Sequence, residues 1–172
     1  YLDQTAGQYK PLVQGWVTRE AAIKIFEASG KDMKNYVEKS RSAVFTPTAL
    51  DMTASVTIKN EIKRASSKNV IAMVKGTEKP EEYVLYTAHW DHLGVGQPID
   101  GDSIYNGAHD NASGTAALLA IAKAYASNPE KPKRSVLFLA VTAEEQGLLG
   151  SKYYAENPIY PPAQTVANIN MD

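Results

Sequence analysis

Four short clusters in this sequence carry side chains able to bind a cation or move a proton. They are His89, Asp91 and His92 in "AHWDH", Asp110 in "GAHDNASG", Glu144 and Glu145 in "TAEEQG", and Asn170 and Asp172 in "NINMD". The adjacent pair Glu144–Glu145 follows an apolar run, "SVLFLAV", that reads as a buried strand. Two like charges placed there repel, and burial strengthens the repulsion. A divalent cation supplies the opposite charge that keeps both ionised. The sequence has no cysteine, so its ligands are imidazole nitrogen and carboxylate oxygen. That donor set suits zinc, and less specifically manganese or cobalt.

The spacings divide the labour. Successive side chains on an extended segment point apart. Glu145 can therefore ligate a metal while Glu144 faces a water and takes its proton. Asp91 lies two residues beyond His89, on the same side, where its carboxylate can accept the imidazole's other N–H. Asp110 sits among glycine and alanine, where little bulk blocks close approach. It can bridge two metals about 3.5–4 Å apart.

These clusters need elements that bring them together. "YVLYTAH", "SVLFLAV" and "AQTVANINMD" read as strands, with "SGTAALLAIAKAYAS" and the end of "EEQGLLGSKYYAEN" as the intervening helices. Such β-α-β-α-β alternation predicts a largely parallel, doubly wound sheet. Ligands then bind outside the carboxyl ends of the strands, where the clusters fall. Upstream, "TASVTIKNEIKR" alternates apolar and polar residues and predicts a strand, "KNVIAMVKG" predicts another, and "KPEE" a turn. Residues 93–111 read as a loop. Two short helices are expected in "TREAAIKIFEASGKDM", starting at Thr18 and stopping at Gly30, and in "KDMKNYVEKSRS". Residues 1–18 read as irregular. The organisation expected is an N-terminal linker and helical segment over 1–50, then a catalytic segment over 51–172.

Composition excludes several other classes. With 172 residues and a net charge of −1, the sequence has no basic footprint for nucleic acid. No apolar run approaches the roughly 20 residues of a membrane-spanning helix. The opening "YLDQTAGQYK" lacks the basic and apolar regions of a signal peptide. No serine sits in a Gly-x-Ser-x-Gly elbow. "NAS" at 111–113 matches a glycan acceptor, but Asn111 or Ser113 reads more simply as the cap of the following helix. Taken singly, His89 would read as a structural histidine, and Glu144–Glu145 as the acidic first turn of a helix.

Together, "YTAHWDHLG", "NGAHDNASGTAALL", "TAEEQGLLGS" and "NINMD" closely resemble the co-catalytic dinuclear zinc aminopeptidases, a family that includes bacterial leucyl-type aminopeptidases and glutamate carboxypeptidase. The resemblance covers roughly residues 55–172. It implies a three-layer α/β/α fold with a mostly parallel central sheet, incomplete at its C-terminal side. It implies that His89 and Asp172 bind one zinc, that Glu145 binds the other, and that Asp110 bridges them. Glu144 would be the general base and Asp91 would orient His89. The expected activity is hydrolysis of a peptide that has a free N-terminus, and the expected location is secreted or periplasmic. Oligomeric state is left open. Two alternatives stand beside this: an inert relative serving as a binding or receptor domain, and a single-zinc enzyme resembling glutaminyl cyclase.

The sequence departs from the family in one respect. The family's second zinc takes a histidine well beyond the "NMD" motif, and this sequence stops at Asp172. It is therefore read as part of a longer enzyme. Of His89, His92 and His109, none is expected to replace the missing ligand. His92 reads as a hydrogen-bonding or rim residue, and His109 as pocket wall. Of the two zinc ions of a complete site, this chain is expected to hold one or none. Trp90 and Tyr105 are near enough to line a pocket.

Overall fold

The structure is a computed structural model that describes residue 13 and residues 15–172. Among these, residues up to Lys63 form one compact unit and Arg64–Asp172 another. The irregular stretch expected over 1–18 lies mostly outside the described residues.

The first unit holds α1 (Arg19–Ala28) and α2 (Met33–Lys39). Thr18 Oγ1 accepts the Ala21 N–H and starts α1, and Gly30, at φ +71°, takes the chain out of it. Asp32 caps α2 through the Lys34 N–H. Phe26 and Tyr36 pack ring to ring, 5.5 Å between centroids. The strand expected in "TASVTIKNEIKR" does not form. That segment is irregular and exposed, with Ile62 78% accessible. Alternation makes a segment competent to be a strand, but pairing requires a neighbour, and none of the described strands extends to it.

The second unit contains β1 (Val70–Val74), β2 (Lys79–His89), β3 (Gly94–Ile99), β4 (Asp102–Tyr105), α3 (Gly114–Ser127), β5 (Arg134–Val141), α4 (Leu149–Glu156) and β6 (Thr165–Asn170). Its main sheet has the order β1-β5-β2-β6. β2 pairs in parallel with both β5 and β6, while β1 joins the far edge of β5 antiparallel. "KPEE" is the start of β2, not a turn. The register shift between Lys79 and Tyr83 absorbs its irregularity. The segment read as a loop over 93–111 instead contains the hairpin β3–β4, turned by Asp100 and Gly101 at positive φ.

Side-chain alternation along β2 and β5 builds two apolar layers. On one face, Tyr83, Leu85, Leu137, Leu139 and Val141 cluster with Tyr154 of α4 and with Tyr160. On the other, Ala88, Val136 and Phe138 meet Leu118, Ile121 and Tyr125 of α3. This is the expected helix–sheet–helix arrangement. Side-chain hydrogen bonds also lock the strand ends. Asn69 accepts the Thr142 N–H and donates to the Gly150 carbonyl, tying the entry of β1 to the exit of β5.

Leu137→Ala, which empties a fully buried position, is expected to lower stability by about 2–5 kcal/mol. Leu119→Ala, at an outward position of α3 that is 66% exposed, should change it by less than about 0.5 kcal/mol. Urea unfolding followed by near-UV circular dichroism checks both. Equal losses would mean that the second layer does not lie where α3 places it.

Candidate metal centre

The parallel ladder sets the carboxyl ends of β2, β5 and β6 side by side. His89 pairs with Val141, Thr87 with Asn170, and the Met171 N–H donates to the Thr87 carbonyl. Two residues beyond β6, Asp172 then lies against His89. The Trp90 N–H donates to the Val141 carbonyl, so the chain leaving β2 follows the chain leaving β5.

His89 is buried, and its ring is held at both ends. Nδ1 is 3.0 Å from the Asp91 carbonyl oxygen. A carbonyl only accepts, so Nδ1 carries the proton and Nε2 faces the carboxylates. Nε2 lies 3.0 Å from Asp172 Oδ1 and 3.1 Å from Asp110 Oδ1. The residue expected to orient His89 does so through a different atom. The Asp91 carboxylate is 3.9 Å from Nδ1 and instead accepts the Glu144 N–H at 3.1 Å. Asp91 thereby ties the two strand exits together. The burial of His89 opposes its protonation, but the Asp91 carbonyl, Asp172 and Glu144 outweigh it and hold its pKa above the usual value. The position attracts positive charge.

Asp110 is delivered by a kinked segment, Ala108–Ser113, in which Asp110 and Asn111 have non-helical backbone just before α3. Asn111, next to it, is 2% exposed. Its Nδ2 donates to the Met171 carbonyl at 2.9 Å, and its Oδ1 accepts the Gly114 N–H at 2.9 Å. One side chain thus caps α3 and pins the Asp110 loop beside the exit of β6. Gly114 is required here, because a Cβ would strike Asn111 and the Met171 carbonyl. The sequence marked Asn111 as a cap but gave no sign of its bond to Met171.

A second group forms beside the first. His92 Nδ1 lies 2.8 Å from Glu145 Oε1 and 4.0 Å from Asp110 Oδ2. Of the two remaining histidines, His92, read from the sequence as a hydrogen-bonding or rim residue, lies in this group, while His109 is exposed and in neither group. Asp110 belongs to both groups, one oxygen toward each imidazole. Glu144 belongs to neither. It lines a cavity of about 730 Å3 with His89, Val141, Leu148, Tyr154 and Asp172. Burial, with Asp172, Glu145 and Asp110 nearby, pushes its pKa up against the pull of His89.

The donors fit zinc. Zinc–nitrogen and zinc–oxygen bonds of about 2.0–2.2 Å make tetrahedral edges of roughly 3.3–3.5 Å, close to the spacings around His89. Moreover, His92 Nδ1 and Glu145 Oε1 are buried without a hydrogen-bond partner. They approach closely but are not aligned for a hydrogen bond with each other. Orphaned nitrogen and oxygen facing one another are what a cation between them would satisfy.

Asn111→Ala removes both bonds of that side chain. It is expected to destabilise the unit by about 1–3 kcal/mol and to weaken zinc binding roughly 10–100-fold. Thermal unfolding and chelator competition measure the two effects. Unchanged zinc affinity would mean that the loop holds Asp110 without Asn111.

Comparison with known proteins shows the family of the chain. Residues 69–172 match the model of peptidase family M28. A probable zinc metalloprotease of Pyrenophora teres is 39% identical over 103 residues, which is 60% of this chain and 22% of that protein. The aminopeptidase NAALADL1 of Mus musculus is 34% identical over 122 residues, 68% of this chain and 15% of that protein. The crystal structure of a peptidase M28 precursor from Shewanella amazonensis superposes with a TM-score of 0.50 at 36% identity, over 60% of this chain and 22% of that one. The chain thus spans about a fifth of the length of such relatives. With the matched segment covering more than half of it, the chain belongs to peptidase family M28.

Proposed function

We propose that the protein is a zinc-dependent exopeptidase of the aminopeptidase type, acting on peptides with a free N-terminus. The observation that carries this is the pair of imidazole–carboxylate groups sharing Asp110 at the ends of three strands. In this reading His89 and Asp172 hold one zinc, Glu145 holds a second, and Asp110 lies between them. Bound zinc supplies Lewis acidity toward the scissile carbonyl and brings the pKa of water near neutrality.

The chain's own residues do the rest. Asp91 fixes the His89 tautomer through its carbonyl and the start of the Glu144 turn through its carboxylate. Glu144 stands outside both ligand groups and faces the cavity, so it is free to take a proton from the attacking water and return it to the leaving amine. Its raised pKa brings it nearer the operating range of a general base. The four carboxylates carry no preference between an amine and a carboxylate once two zinc ions offset their charge, so the choice of a free N-terminus rests on family likeness. The aminopeptidase among the relatives points that way.

Glu144→Gln keeps size and polarity but removes the base. In the active protein, turnover should fall about 10²–10⁴-fold while zinc content stays unchanged. A variant that loses zinc as well would mean that Glu144 is a ligand. Acetylating the substrate's N-terminus should abolish cleavage, and amidating its C-terminus should not. The opposite pattern would make the enzyme a carboxypeptidase. Zinc binding without hydrolysis of either substrate would favour the inert relative.

A further inference from the structure

We propose that Asn106 is a site of spontaneous modification. Its side chain closes a ring with the Gly107 nitrogen and loses ammonia, and the isoaspartyl product that follows unseats the segment carrying Asp110.

Asn106–Gly107 is the one Asn–Gly pair in the sequence. Ring closure needs an asparagine side chain free to swing back on the next backbone nitrogen, and a following residue with no Cβ to obstruct it. Asn106 meets both conditions. It is exposed just beyond β4, and among the described residues its amide is held by one long bond, 3.3 Å from Nδ2 to the Ile104 carbonyl. Asn111, in the same stretch of chain, is buried with both ends of its amide held at 2.9 Å. Asn128 and Asn157 precede prolines, which have no N–H to give up.

The chemistry consumes only water. The Gly107 nitrogen attacks Cγ of Asn106. The N–Cγ bond forms, the Cγ–Nδ2 bond breaks, and Nδ2 leaves as ammonia with the proton that the backbone nitrogen gives up. Water then opens the ring at either carbonyl. Opening at Cγ gives aspartate. Opening at the main-chain carbonyl gives isoaspartate, in which the backbone runs through Cβ and Cγ and is one carbon longer. Nothing is oxidised or reduced, and either product adds a negative charge.

The extra carbon falls where the structure has no slack. Gly107 sits at φ +64°, and a Cβ there would lie 2.7 Å from both His92 Cγ and the Asp110 carbonyl oxygen. Its own carbonyl accepts the Ala112 N–H at 3.0 Å, closing the segment that sets Asp110 3.1 Å from His89. A main chain lengthened between residues 106 and 107 must push Gly107 into His92 or release it from Ala112. Release costs one hydrogen bond at an exposed residue, and it frees the Asp110 segment at its β4 end.

The test holds the folded 172-residue chain in mildly alkaline, metal-free buffer, where the backbone nitrogen gives up its proton more readily. Asn106→Gln, whose longer side chain closes the ring far less readily, is held beside it. Peptide mapping reads the amide-to-acid mass gain at residue 106, and hydrogen exchange reads the Ala112 N–H. The expected result is conversion at residue 106, mostly to isoaspartate. The Ala112 N–H then exchanges roughly 10-fold faster, the equivalent of one lost hydrogen bond, while Asn106→Gln keeps its protection. A folded chain that retains the Asn106 amide while a denatured sample loses it overturns the inference. So does conversion to isoaspartate with Ala112 protection unchanged. Neither readout needs zinc. On the zinc-peptidase reading, conversion also weakens zinc binding at His89 roughly 10–100-fold, and a fresh folded chain that binds no zinc overturns that reading alone.

Discussion

β2 is hydrogen-bonded in parallel to β5 on one side and to β6 on the other, and this double pairing decides where the acidic groups of the chain end up. Parallel strands finish at the same edge. The residues just past each strand are then neighbours in space although far apart in sequence, as His89 and Asp172 are. Register is equally constrained. A slip of one residue along β5 would exchange Leu137 and Leu139 for Val136 and Phe138, swapping the two apolar layers, and would carry Glu145 away from His92. The core and the metal centre are therefore specified by the same ladder.

That edge gathers negative charge. Asp110, Glu144, Glu145 and Asp172 lie around two imidazoles; burial first, and the neighbouring carboxylates second, raise the pKa of Glu144, while the Asp91 carbonyl, Asp172 and Glu144 raise that of His89 against its burial. Protons relieve it in part. Divalent cations relieve it more fully, because each brings two charges and accepts several lone pairs at once. Asp91 separates the contributions. By engaging His89 through a carbonyl and Glu144 through a carboxylate, it holds an imidazole and a cavity-facing acid in fixed relation without itself entering either donor group.

The parts legible in the sequence are those whose environment is uniform. "YVLYTAH" and "SVLFLAV" are nearly continuous apolar runs because both faces of β2 and β5 are covered. Asp110, Glu145 and Asp172 stood out because carboxylates at strand ends and helix entries have few bland explanations when they occur together. Three features escaped for physical reasons. "TASVTIKNEIKR" has the alternation of a strand but no neighbour to pair with. The β3–β4 hairpin is built from "GVGQPI", which is exposed along its whole length and so carries no apolar signal. His92, read as a hydrogen-bonding or rim residue, gave no sign in "AHWDH" that it would sit beside Glu145. Its position is set by contacts to the β5 exit, which are non-local.

The Asn111–Met171 bond has a consequence for the order in which the protein is made. Synthesis delivers β2, the Asp110 turn and α3 well before β6, and domains begin to organise as they emerge. Until Met171 arrives, the amide of Asn111 has no carbonyl to hold, and the turn bearing Asp110 is fixed only at its α3 end. The Asp110 turn is thus held at both ends only once β6 has been made. A chain interrupted before that strand would carry His89, Asp110 and Glu145 but would lack both the Asp172 carboxylate beside His89 and the anchor that holds the Asp110 turn there.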